Sequence, residues 1–167
     1  MQKRADAFRL GQEGYKGMLA LEAYLHHSSL PQPLVHLIKL RCSQMNGCAY
    51  CIDMHWKDLR AIGEPEHRLY GLDAWRESPF YSEQERAALG WAEEVTKIAE
   101  THAEDEAYDA LRGQFTDQQI VELTFTISTI NAWNRLAISF RAEPGHYKSQ
   151  LGKASANAPS PNTPVTV

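Results

Sequence analysis

Strand signals are nearly absent from this sequence: no segment sustains the apolar/polar alternation of a half-buried strand between turn residues. That absence sets aside sheets and barrels and predicts an all-α fold. Long hydrophobic runs are missing as well, the longest being a few residues against the roughly 20 that span a bilayer. Basic excess is also lacking, with 17 Lys plus Arg against 21 Asp plus Glu and a net charge of −4, so no field is present to condense the chain on phosphates or anionic lipid. Neither nucleic acid nor a membrane is expected as a partner. No glycine-rich phosphate loop and no repeat at solenoid periods occurs. The opening residues Met1-Gln2-Lys3-Arg4-Ala5-Asp6 lack the apolar core of a secretory signal, and a cytoplasmic protein is expected. Cysteine is scarce: three residues are too few, and odd in number, for a secreted disulfide framework.

What is present fits one domain. The chain has 167 residues, of which 43% are hydrophobic and 23% charged, ordinary values for a single globular unit. Residues 1–150 are expected to form it. From 151 to 167 the composition turns to Gly, Ser, Ala, Asn and Pro without apolar periodicity, which predicts a disordered tail without catalytic duty. Within the domain, Tyr15, Met18, Leu21 and Leu25 recur at helical spacing from about Gly14 to His27, until Pro31 and Pro33 break the pattern. Leu34, Leu37, Ile38, Leu40 and Met45 stripe a second helix, stopped by Asn46-Gly47. A third runs from Cys48 to Ala61. Leu69, Tyr70, Leu72 and Trp75 mark a short amphipathic piece. Ser82 with Glu85 forms a capping box that opens a helix to about His102, and a short helix with Ala107, Leu111 and Phe115 follows. Thr116 or Asp117 then caps a long segment reaching Phe140 that is apolar around most of its circumference, as expected of a central helix or one covered by another subunit. A bundle of about six to seven helices, assembled as a homo-oligomer, accounts for this pattern.

Chemistry concentrates in Asn46-Gly47-Cys48-Ala49-Tyr50-Cys51-Ile52-Asp53-Met54-His55. At about 100° per residue, Cys51 lies roughly 60° from Cys48 and His55 about 20° from Cys48, so all three share one helix face. A helix N-terminus favours a thiolate there, a spacing of three allows a disulfide, and His55 can accept the thiol proton. A structural zinc site is the weaker alternative: it needs four ligands, and Cys42 and His36 would have to fold back from the preceding helix to supply them. Cys42 lies among apolar neighbours and reads as core. No metal site and no cofactor are expected. His26, His27, His67, His102 and His146 show no metal spacing and read as surface or packing residues, and Asp53 and Asp58 read as solvated charges. Asn131, Trp133, Asn134 and Arg135 place polar groups in an apolar helix. They are expected to brace facing helices or a subunit interface.

At these residues the sequence resembles the alkylhydroperoxidase AhpD-like core, within the wider carboxymuconolactone decarboxylase family. The resemblance spans most of residues 15–147. It rests on Leu40-Arg41, Ser43-Gln44, Asn46 to Cys51 and His55, on Trp75-Arg76 followed by Glu85 to Leu89, and on Asn131 to Arg135. It implies an all-α fold assembling into trimers or hexamers, and a peroxidase that reduces hydroperoxides through a cycle of thiolate, sulfenic acid and disulfide. By position, Cys51 matches the sulfur that attacks peroxide, Cys48 the resolving thiol and His55 the proton-relay histidine. Helix-dipole reasoning alone favours the opposite order, with Cys48 attacking. His36 stands where the family's relay carries a glutamate, and a neutral imidazole cannot hold His55 as an imidazolium as a carboxylate does. Tyr50 stands where the best-known peroxidases of the family carry histidine, and either walls the site or packs. The implied partners are a hydroperoxide and a dithiol reductant of lipoyl or thioredoxin type. Two other readings compete: a non-catalytic redox-sensing scaffold, and a non-redox lactone decarboxylase-like enzyme, whose relatives do without the cysteine pair.

Overall fold

The computed structural model describes residues 4–151. Among these it contains nine α-helices, a single 3-10 turn and no strand. The helices are α1 (Ala7–Leu10), α2 (Gln12–His26), α3 (Gln32–Asn46), α4 (Ala49–Ala61), α5 (Glu66–Tyr70), α6 (Glu83–Thr96), α7 (Ile98–Thr101), α8 (Asp105–Arg112) and α9 (Asp117–Phe140), with the 3-10 turn at Leu72–Ala74. The number exceeds the expected six to seven because α1, α5 and α7 are single-turn pieces of 4, 5 and 4 residues, too short to show a periodic stripe in sequence. Except for Leu151, the segment expected to be a tail lies outside the described residues.

Helix α3 is the axis of the bundle. Leu34, Val35, Leu37, Ile38 and Leu40 are all buried because the helix packs against α4, α6 and α9 on different sides. Each such side chain removed from water contributes about 1.5–3 kcal/mol. Pro33 sits in the first turn of α3, where no N–H is needed. The chain leaves α3 through Gly47, whose φ of +67° suits a residue without a Cβ. The N–H groups of Gly47 and Cys48 then donate to the carbonyls of Gln44 and Ser43 at 3.1 and 3.0 Å. α4 thus starts immediately beside the end of α3.

The capping box at Ser82 and Glu85 is present with both reciprocal bonds, and Thr116 with Gln119 makes a second one at the start of α9. Three expectations are corrected. The helix opened by Ser82 does not run unbroken to His102: the backbone departs from helical geometry at Lys97, where α6 ends and α7 begins. Phe115 lies beyond α8, which stops at Arg112. Tyr70 is 75% exposed and does not pack with buried Leu69, Leu72 and Trp75, because it ends α5 pointing away from the core. In α9, Ile120, Leu123, Ile127 and Ile130 are buried, while Val121 and Phe125 on another face remain 49% and 45% exposed. None of the helices among the described residues is long and apolar enough to cross a membrane.

Candidate functional site

Cys48 is the N-cap of α4. Its backbone is extended and its Sγ accepts the Cys51 N–H at 3.4 Å, doing with sulfur what Ser or Asp does with oxygen at other helix starts. Cys51 follows one turn later and His55 one turn after that. Both cysteines are free thiols with only 1% of their surface exposed. The Cys48 thiol is lowered to about 7, chiefly by a hydrogen bond with the Cys51 side chain and against the opposing effect of burial, with further help from backbone N–H groups and Asn134. The Cys51 thiol is raised, because it shares its proton with the Cys48 sulfur and is desolvated. The two thiols titrate as one pair, with Cys48 the more acidic sulfur.

Asn134 of α9 holds the junction beneath the thiols. It donates to Ser43 Oγ at 3.1 Å and accepts from Asn46 Nδ2 at 2.8 Å, while Asn46 Nδ2 also donates to Asn131 Oδ1 at 2.8 Å. Asn131 donates onward to Thr96 Oγ1 and accepts from Arg135. These side chains tie α9 to α3 and α6, and the buried amides of Asn131 and Asn134 have the partners that burial requires. Trp133 donates its indole N–H to Glu22 at 2.9 Å and packs on the Tyr15 ring.

On the cavity side, His55 is buried and neither of its ring nitrogens has a hydrogen-bond partner. Burial lowers its pKa well below the ordinary histidine range, and Lys39 and His36 push the same way, so the ring is neutral. His36 on α3 faces it with ring centroids 5.9 Å apart. His36 too is held below its usual pKa by burial, against the pull of Asp58. Asp58 corrects an expectation: it is 4% exposed, not solvated. Its Oδ2 lies 3.9 Å from His36 Nδ1 and its Oδ1 accepts the Tyr147 hydroxyl at 2.8 Å. Asp53, on the opposite face of α4, bonds Lys57. A signal for the distinction was available, since Asp58 is seven residues after Cys51 and falls within about 20° of it on the helical circle, whereas Asp53 falls about 160° away. Glu22 and Tyr147 carried no such signal, because they reach the site across 14 residues or more of chain; Lys39 did, three residues after His36 on one face of α3. Lys39 pairs with Glu22 at 2.6 Å.

A cavity of about 1340 Å³ opens on Cys48, Cys51, His36, His55 and Asp58. Tyr50 lines it, with a phenol raised by burial and by the neighbouring thiols. The outer wall comes from residues 4–8 and from the end of α9 with the loop after it, joined where the Arg4 guanidinium donates to the Ser139 carbonyl. Cys42 stands apart in the core, fully buried. Its thiol is pushed up to about 12 by desolvation and accepts the Thr96 hydroxyl. His26, His27, His67, His102 and His146 are exposed.

The model of the carboxymuconolactone decarboxylase family matches residues 12–94, which contain α2, α3, α4 and both cysteines. A Bacillus subtilis (strain 168) protein, the uncharacterized YdfG, is 44% identical over 139 residues, covering 83% of this chain and 95% of its own. The chain belongs to the carboxymuconolactone decarboxylase family. Within that family its fold is AhpD-like. A crystal structure of a protein of unknown function from Agrobacterium tumefaciens, suggested as the antioxidant defence protein AhpD, matches with a TM-score of 0.84 and 46% identity, covering 87% of this chain and 100% of that one. An alkylhydroperoxidase AhpD core from Ralstonia eutropha JMP134, an uncharacterized peroxidase-related protein, matches with a TM-score of 0.74 over 84% of this chain and 75% of that one. At 19% identity the likeness is one of fold.

Proposed function

We propose that this carboxymuconolactone decarboxylase family member is a thiol-dependent peroxidase that reduces hydroperoxides through a Cys48/Cys51 dithiol-disulfide cycle, with His55 as proton relay. The observation that carries the reading is the pair of free thiols at the start of α4, with the Cys51 N–H donating to Cys48 Sγ and both sulfurs lining the cavity. In the cycle, the Cys48 sulfur attacks the terminal oxygen of ROOH, the O–O bond breaks, and the alkoxide leaves with the Cys51 proton as ROH. Cys51, now a thiolate, attacks the Cys48 sulfenic acid. The S–S bond forms and hydroxide leaves as water after taking a proton. That proton comes from solvent, and neutral His55, one turn after Cys51 on α4, passes it on by giving up its ring N–H and being reprotonated. Two electrons from an external dithiol restore the pair.

The family resemblance gives the attack to Cys51. The N-cap position supports Cys48 instead, since the sulfur that holds the charge is the nucleophile. Burial of both sulfurs supports a slender dithiol such as a lipoyl arm over a broad protein face as reductant. The exposed apolar stripe of α9 supports a homo-oligomer of the trimer or hexamer kind, and the reducing chemistry suits the cytoplasm.

A single-turnover experiment tests the cycle. Reduced protein is mixed with one equivalent of an organic hydroperoxide, quenched with an alkylating agent and weighed intact. Two thiols are expected to vanish within seconds into a Cys48–Cys51 disulfide, and Cys51→Ser is expected to stop at a sulfenic acid on Cys48. Three thiols still alkylatable after minutes would overturn the peroxidase reading, and a sulfenic acid trapped on Cys51 in Cys48→Ser would reverse the order of the sulfurs.

A further inference from the structure

His36, His55 and Asp58 present one ligand atom each, and these atoms lie within 4.8 Å of one another. Two of the three residues come from α4 at a spacing of three, which puts them on one face, and the third comes from α3 packed against it. Three of the ring nitrogens lack a hydrogen-bond partner, namely His36 Nδ1 and both nitrogens of His55. Such unpartnered buried donors and acceptors are costly, and here they converge on one another.

We infer that His36, His55 and Asp58 form a binding site for a divalent first-row transition metal ion of the zinc, cobalt or iron kind, which takes His55 in place of, and not together with, the proton-relay role proposed for it above. Two imidazoles and a carboxylate suit such ions, and a three-ligand set leaves further coordination positions open. All three residues line the cavity that also holds the dithiol. Ligand atoms about 2.1 Å from one ion lie about 3.0–3.5 Å apart, so side-chain rotations of about an ångström close the set around a metal. The Tyr147 hydroxyl already holds Asp58 Oδ1, leaving Oδ2 towards His36, an outer-shell bond of the sort that orients ligating carboxylates. The positive charge of Lys39 is matched by Glu22 at 2.6 Å, which limits its repulsion of a cation. The residue that turns the cluster into a two-histidine set is His36.

Direct binding tests this independently of peroxidase activity. Chelator-treated protein is titrated with Co²⁺ under reducing conditions and the visible d–d bands are followed, with Zn²⁺ as competitor. One equivalent should bind and be displaced by zinc. His36→Gln and Asp58→Asn should each weaken binding by more than the about 10–100-fold that loss of an outer-shell partner costs. His36→Glu, which keeps a ligand atom, should restore it, separating ligand loss from misfolding. The double variant Cys48→Ser with Cys51→Ser should bind as the wild type does. Absence of a saturable wild-type site, or binding that needs the cysteines and ignores His36 and Asp58, would overturn the inference.

Discussion

The Cys48 sulfur caps a helix and is the more acidic of the two thiols, and the Cys51 N–H serves both. The Cys51 N–H points at it from the first turn of α4 and the Cys51 thiol lends it a proton. Because its pKa is lowered, Cys48 is protonated on the acid side of about 7 and a thiolate above it, so reaction with peroxide should rise with pH through that midpoint and then level off. Ultraviolet thiolate absorbance followed against pH is expected to show the step. Cys51→Ala removes the largest contribution and should move the midpoint up towards the usual cysteine value of about 8.5. An unchanged midpoint would show that the backbone N–H groups alone hold the charge. At this scale the sequence was informative wherever the relation is local. Cys48, Cys51 and His55 share a face by spacing. Asp58 shares it too, but charged residues at a helix surface are usually solvated, and that prior outweighed the angle. Tyr147 meets Asp58 across 89 residues, a distance no local pattern encodes.

Among elements, the junction between α3 and α4 sets the position of the dithiol. Gly47 has a left-handed backbone, and nothing lies within 4 Å of where a Cβ would stand, so the cost of Gly47→Ala is conformational and not steric. A destabilisation of about 1–2 kcal/mol is expected, measurable by urea denaturation, with a slower peroxide reaction because Cys48 follows directly. A neutral result would mean that the turn relaxes into another conformation. Helix stops written in glycine or proline, and starts written in Ser82 or Thr116, were legible in the chain. The break at Lys97 was not. Val95, Thr96, Lys97 and Ile98 contain no breaker, and the hydroxyl of Thr96 is engaged by Cys42 and Asn131, partners drawn from two other helices.

For the molecule as a whole, the exposed stripe of α9 is the feature that a single subunit does not explain. Val121 and Phe125 leave about half their surface in solvent, and Tyr24 of α2 extends the patch by an edge contact with the Phe125 ring. An apolar surface of this kind is suited to a second copy of the chain. Light scattering is expected to show an oligomer, and Phe125→Lys is expected to shift it towards monomer, since a buried charge without a partner opposes association. A monomeric wild type would leave the stripe without that role. The all-helical class and the order of the main helices followed from periodicity and capping, whereas the face of α9 turned outward did not, because a helix apolar all round reads the same whichever side is covered.

Because α4 is capped by sulfur rather than oxygen, the proposed cycle reaches into the first turn of the helix. Oxidation of Cys48 is expected to weaken the acceptor of the Cys51 amide, so that the start of the helix loosens without any ligand having bound. The amide hydrogen of Cys51 is then expected to exchange faster in the oxidised protein than in the reduced one, a built-in reporter readable by hydrogen exchange.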